Sequence, residues 1–438
     1  MPLVLRKPLV TTTSAVFAAV LIVLALVNRS STPSPSPVDS SPRVDVAATG
    51  TSTQARIDGL EAVIKDGGAN PQTYAVLGGA MLQRLRETGD PSLYSRAELA
   101  FAEALKRDPR NLDAKVGIGT LALARHDFSG ALRYGKGARH AHPRSFAPFA
   151  VLVDAEIELG HYGVAERTLQ QMIDFKPGLS SYARVSYFRE LNGDLEGAVA
   201  AMRLAKSAAP GPGENSSYIQ TLLGNLEFGR GRLDAAEASY RGALAAFPGY
   251  PRATAGLAGV DAARGHFEPA IERLRGVVER LPLPEFVIAL GETQQAAGKT
   301  MAAQASYALV GVEVKLLRAN GVNTDVDLAL FEANHGSAAK AVLLGRRAWA
   351  EAPSVRSADA YSWALSRAGD NAAALRFSAE AMKLGSRDPS FLYHAGIVAQ
   401  RAGRDESARR YLSQLVVQSP RFNPLYGPRA QRALGALG

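Results

Sequence analysis

The feature that most limits the fold is an alanine that returns every 33 to 38 residues. Ala97, Ala131, Ala165, Ala198, Ala236, Ala270, Ala303, Ala341, Ala374 and Ala408 stand at spacings of 34, 34, 33, 38, 34, 33, 38, 33 and 34. Five residues before each of the last eight lies a glycine, from Gly160 through Gly193, Gly231, Gly265, Gly298, Gly336 and Gly369 to Gly403. Twelve residues before the alanine most copies carry a small residue, such as Gly119, Gly224, Gly291 or Gly396. Twelve residues after it comes proline in eight of ten copies, among them Pro109, Pro248, Pro282 and Pro420. A period of this length is the mark of a repeat architecture, and it covers most of the 438 residues.

Each register has a mechanical reason. The stretch before the glycine, such as Phe149 to Leu159, has the length and apolar spacing of a three-turn helix. Glycine supplies a turn that a Cβ would oppose. A second helix follows, as in Asp234 to Phe247, and proline stops it because it cannot continue an interior hydrogen-bond ladder. The small residue of the first helix and the alanine of the second let two antiparallel helices cross closely. A leucine at Ala236 overpacks that crossing, at a cost of about 1–3 kcal/mol.

This pattern resembles the tetratricopeptide repeat family over roughly residues 70–420, and specifically a membrane-anchored bacterial type. The small residue of the first helix, the turn glycine, the alanine of the second helix and the closing proline match, as do the aromatics Phe101, Tyr240 and Tyr307 four residues after the alanine. The early tryptophan of the family is absent, with Tyr74, Phe149 and Tyr182 in its place, and the later tyrosine is replaced by Glu156, Glu227 and Glu332. The first copy carries extra residues at Thr88–Tyr94. The resemblance implies an all-α, right-handed superhelical solenoid of about ten antiparallel helix pairs, with first helices lining a concave groove. The solenoid needs capped ends. Thr53–Lys65 has helical spacing for one cap, and Pro428–Leu437 for the other. The two 38-residue spacings predict longer loops, at Pro210–Gly213 and around Arg318–Asn323.

The expected organisation is a cytoplasmic stub and signal anchor at residues 1–29, a Ser/Pro-rich linker at 30–52, the repeat solenoid at 53–420 and a capping helix at 421–438. Leu9–Val27 holds 19 residues without a charge, long enough to span a hydrocarbon core of about 30 Å. Arg6 and Lys7 precede it, which predicts a single-pass membrane protein with a cytoplasmic N-terminus and an extracytoplasmic repeat region. The alternative is secretion after signal cleavage, although no clear small-x-small site follows. SSTPSPSPVDSSP at 30–42 reads as a tether.

Chemistry leaves little trace. There is no cysteine, which excludes disulfides and thiolate chemistry. Gly298-Lys299-Thr300 lacks the upstream glycine of a phosphate loop, since Thr293 stands there. His126, His161, His266 and His335 fall at the helix-helix turn and read as solvated turn residues, and His140-x-His142 has no third ligand. The sequence therefore predicts no enzyme, cofactor or metal. The net charge of +9 comes from dispersed arginines, such as Arg203, Arg232, Arg241 and Arg264, with acids among them. That argues against a nucleic-acid track but leaves a rival function, charge-driven binding of anionic envelope polymer or lipid.

Positions 18, 15 and 11 residues before the repeat alanine share one helix face. By the resemblance it is the groove face, and it predicts a site for a protein or peptide partner. It offers Asp154, Tyr187, Asn225, Glu292 and Trp363 at the eleven-residue offset, Asp359 and Tyr393 at fifteen, and Tyr218, Arg252 and Arg356 at eighteen.

Overall fold

A computed structural model describes residues 52–438. The expected anchor and almost all of the expected linker lie outside the described residues. Among the described residues there are helices and turns and no strand, and no helix is long and apolar enough to cross a membrane. The chain divides into two compact units that meet in sequence between Leu152 and Val153.

The first unit holds α1 (Thr53–Lys65), α2 (Pro71–Thr88), α3 (Ser92–Arg107), α4 (Leu112–Ala124), α5 (Phe128–Ala141) and the start of α6 (Pro148–Glu158). The second holds the end of α6, then α7 (Tyr162–Phe175), α8 (Leu179–Leu191), α9 (Leu195–Ser207), α10 (Glu214–Gly229), α11 (Leu233–Ala246), α12 (Pro251–Ala263) and α13 (Phe267–Arg280). It continues with α14 (Pro284–Ala296), α15 (Thr300–Ala319), α16 (Asp325–His335), α17 (Ala338–Glu351), α18 (Val355–Arg367), α19 (Asn371–Met382), α20 (Pro389–Arg401), α21 (Asp405–Gln418) and α22 (Tyr426–Gly435).

The repeat registers are the packing registers. All ten alanines are buried. The small residues opposite them make room for a ring: a Cβ on Gly224 or Gly256 would collide with Tyr240, and one on Gly291 with Tyr307. In the first unit, Gly78 and Gly117 clasp Phe101 in the same way. Helices close just before the prolines, as α11 does before Pro248 and α13 before Pro282. Asp127, Asp194 and Asp370 cap the second helices α5, α9 and α19 by accepting a backbone N–H.

Two expectations from the spacing are adjusted. The second 38-residue spacing does place a loop near Arg318–Asn323, at 320–324, but most of the added length goes into α15, which runs to 20 residues. Lys315 occupies the register of the closing proline, so nothing breaks the hydrogen-bond ladder until Asn320 and Gly321. Gly336 is not a left-handed turn residue, having φ −132°, because Ser337 caps α17 and the Glu332 carboxylate closes the turn by accepting the Ser337 N–H. Conversely His126, at the glycine register of α4–α5, takes φ 59°.

Within the second unit the repeats return upon themselves. The turns at Gly160, Gly193 and Gly231 abut the backbone carbonyls of Pro353, Gly385 and Gln418, and a Cβ at any of the three would overlap the carbonyl oxygen. The Tyr162 hydroxyl accepts the Val355 N–H at 2.7 Å, and the Gln418 side-chain amide donates to the Gly229 carbonyl at 3.0 Å. These partners are 193 and 189 residues apart, between five and six repeats.

Candidate functional site

The ten residues singled out on the inner face come from the first helices of the second unit, from the end of α6 through α8, α10, α12, α14 and α18 to α20. They form three groups.

The first group gathers charge at the self-contact. Asp154 pairs with Arg184 at 2.6 Å, both buried, and Arg184 also donates to the Ser180 hydroxyl at 2.8 Å. Burial pushes the Asp154 carboxyl up to about 6, against the pull of Arg184. Tyr187 donates to Glu158 at 2.9 Å, and Arg356, arriving from α18, lies 3.7 Å from the same oxygen. Glu190 faces this region too. Burial pushes its carboxyl up to about 8, Asp388 adds to the rise, and Arg356 offsets part of it.

The second group surrounds a cavity of about 110 Å³ between α10, α12 and α14. Tyr218, Asn225, Arg252 and Glu292 line it together with Glu285 and Phe422. Asn225 accepts from the Tyr240 hydroxyl at 2.8 Å, which orients its amide, and Arg252 pairs with Glu285 at 3.3 Å. Ligand pockets for drug-sized molecules run from about 300 to 1,000 Å³. This one has the size for a side chain.

The third group is aromatic. Trp363 stacks on His394 with ring centres 4.5 Å apart and donates to Asn334 at 2.9 Å. His394 Nδ1 lies 2.8 Å from Asp359. Tyr393 packs on Trp363 at 5.7 Å and on Tyr426 at 5.4 Å. Trp363, Tyr393 and Asp359 thus come together, while Arg356 turns away to Glu158.

All three groups are largely covered, and in the second and third part of the cover is the chain itself. The non-helical segment 419–425 between α21 and α22 lies in the groove. Phe422 is buried against Tyr393, and the Asn423 amide donates to Glu292 at 2.7 Å. The Tyr426 hydroxyl lies 3.3 Å from His335, whose ring stacks on Tyr307 at 4.2 Å and bonds Glu292 at 3.1 Å. His335 is therefore no solvated turn residue; it is a buried link between two repeats and the tail. Neither charge nor motif points to His394. The signal for it is positional, one residue beyond the inner offset of Tyr393 and one repeat on from Asp359.

Among the described residues no three His, Cys, Asp or Glu side chains gather for a metal ion. His142 instead bonds the Arg110 carbonyl at 2.6 Å. Arg203, Arg241 and Arg264 each pair with a glutamate or aspartate.

Family models described as tetratricopeptide repeat match residues 91–146 and 227–291. No curated protein matches the chain. Among solved structures, a tetratricopeptide repeat protein of Thermus thermophilus is 24% identical over 43% of this chain and 98% of its own, with a TM-score of 0.38. A human IFIT1 dimer with PPP-AAAA is 17% identical over 76% of this chain and 78% of its own, with a TM-score of 0.47. PilW, a type IV pilus biogenesis factor, is 19% identical over 48% of this chain and 97% of its own, with a TM-score of 0.39. The tetratricopeptide repeat models thus match one segment in each of the two units.

Proposed function

We propose that the protein is a membrane-tethered, extracytoplasmic scaffold that binds a protein or peptide partner along the inner groove of its second unit. The observation that carries this reading is the segment 419–425, a non-helical stretch that the groove already accepts. It is held by an aromatic contact from Phe422 and an amide donated from Asn423 to Glu292. Beside it the cavity keeps room for one further side chain, with Asn225, Arg252 and Glu285 as polar contacts. Aromatic floors with a few fixed polar groups suit peptide recognition, and a helical-repeat scaffold is suited to protein–protein interaction. The tethering rests on the uncharged run Leu9–Val27 and the cations Arg6 and Lys7 before it.

The test is in-cell crosslinking and capture with the full-length chain. Arg252→Gln with Asn225→Ala should lose most of the captured partner while helicity stays intact, and Arg241→Gln with Arg264→Gln should capture normally. The opposite outcome, with release by moderate salt, would transfer the function to the binding of anionic envelope polymer or lipid. The chain should fractionate with membranes and keep its N-terminus; a soluble form beginning shortly after Val27 would make it a secreted protein.

A further inference from the structure

The helix α15 is apolar on two opposite sides. Ala303, Ser306, Val310 and Val314 face the unit's interior. On the other side Met301, Ala305, Ala308, Leu309, Val312 and Leu316 form an exposed arc with Lys315 at its edge. Met301 is 85% exposed and Val312 58%. A helix that is hydrophobic all round belongs in a position covered on both faces. The arc is about 22 Å long at 1.5 Å per residue. It exists because Lys315 replaces the closing proline, so this second helix runs six residues beyond the 14 of α11, α13 and α17.

We infer that this arc is the contact of a two-fold homodimer, the occupant being α15 of a second copy in antiparallel orientation. A two-fold contact is isologous, so it demands a surface that matches its own reverse. The arc does. Around a point between Ala308 and Leu309, reversal sets Ala308 against the partner's Leu309 and Ala305 against the partner's Val312. Met301 meets the partner's Leu316 at either end. At the two inner levels a small residue faces a branched one, the alternation that lets two helices interdigitate. Leu343, 53% exposed on the next repeat's second helix α17, adds apolar surface of the same kind. A lipid surface is a poorer occupant. Membrane-surface helices flank their apolar face with several free cations, whereas here Lys299 pairs with Glu268 and Arg318 with Asp325, which leaves Lys315 alone at the edge of the arc.

The absence of cysteine permits a clean test on the full-length protein. Single variants Ala308→Cys and Met301→Cys are oxidised gently in cells and the product mass is read. The 308 position lies beside the two-fold axis and should give a covalent dimer. The 301 position lies roughly 22 Å from its own copy and should give almost none, yet should crosslink when coexpressed with Leu316→Cys. Val312→Glu, which leaves the buried face intact, should convert the purified protein from dimer to monomer in light scattering with unchanged helicity. Equal crosslinking at 301 and 308 would overturn the two-fold geometry. A wild-type chain that is monomeric at tens of micromolar would overturn the dimer. A dimer that survives Val312→Glu would remove α15 from its contact.

Discussion

The turns at Gly193 and Gly231 and those at Gly265 and Gly403 occupy the same place in the repeat and share a backbone shape. Their φ values are 74° and 71° against 85° and 67°. Their surroundings differ. The first two press against the carbonyls of Gly385 and Gln418, while a Cβ on either of the second two would meet open space. The local register thus sets the conformation of these turns, Gly336 being the exception, and the number of repeats decides which turns become buried seams. Only the early turns of the second unit have chain between five and six repeats further on to lie against. One residue type at one register therefore does two jobs. It relieves a left-handed backbone at each of these four turns, and it permits backbone-to-backbone contact at the seam alone.

The largest expected effect separates those jobs. Gly265→Ala and Gly403→Ala should cost about 1 kcal/mol each, the penalty of a Cβ at positive φ. Gly193→Ala and Gly231→Ala carry the same cost and must also displace a packed carbonyl, for a total of about 3 kcal/mol or more. Thermal unfolding gives the ranking, and amide exchange locates it. The Gly193 variant should speed exchange at both 190–194 and 385–388, and the Gly231 variant at both 229–232 and 418–419, because the two sides of each contact open together. Equal losses from all four substitutions would break the comparison.

A smaller effect depends on pH. Glu190, beside the Gly193 turn, has its carboxyl raised from 4.5 to about 8, first by burial and then by Asp388 across the seam. Below about pH 4.5 both folded and unfolded chains are protonated there, and the group leaves stability unchanged. Between about 4.5 and 8 the unfolded chain releases its proton more readily, so stability falls as pH rises; above 8 the loss is complete. The side chain is only partly shielded from solvent, which holds the effect to about 1 kcal/mol, or roughly 2–4 °C in Tm. Glu190→Gln should flatten the profile across that window. A profile that stays parallel to wild type would remove Glu190 from the seam's energetics.

Much of this fold is legible in the sequence because its rules are local. The alanine, the glycine and the proline each act within one helix pair, so spacing alone identifies them. Lys315 shows the limit of that reading: the missing proline is visible in the sequence, yet whether six more residues form loop or helix depends on which residues can stop the ladder. The groove face is legible as a face, since Trp363 and Tyr393 do touch. Its burial is not. Closure runs through carbonyls of Pro353, Gly385 and Gln418, and a backbone carbonyl carries no mark of residue type. The tail contact of Asn423 with Glu292 joins residues 131 apart with no repeat relation between them. His335 reads as a turn residue for the same reason, because its partners Glu292 and Tyr426 come from other repeats.

The smallest effect isolates the conformational job by itself. His126 stands at the glycine register in the first unit and holds φ 59° with a side chain present. Histidine tolerates this region better than branched residues do, but it still bears a left-handed cost of about 1–2 kcal/mol. Glycine would remove that cost and add about 0.5–1 kcal/mol of unfolded-chain entropy. It would also lose the ring contact with Phe128 at 5.7 Å. The difference leaves His126→Gly stabilising α4–α5 by only about 0.5 kcal/mol. Slower amide exchange in residues 112–141, with the second unit unchanged, would measure the turn's conformational strain free of any seam. Faster exchange there would mean that the Phe128 contact outweighs the backbone. The cost assigned to the open glycine turns would then need to be lowered, and the seam's share of the Gly193 and Gly231 losses raised by the same amount.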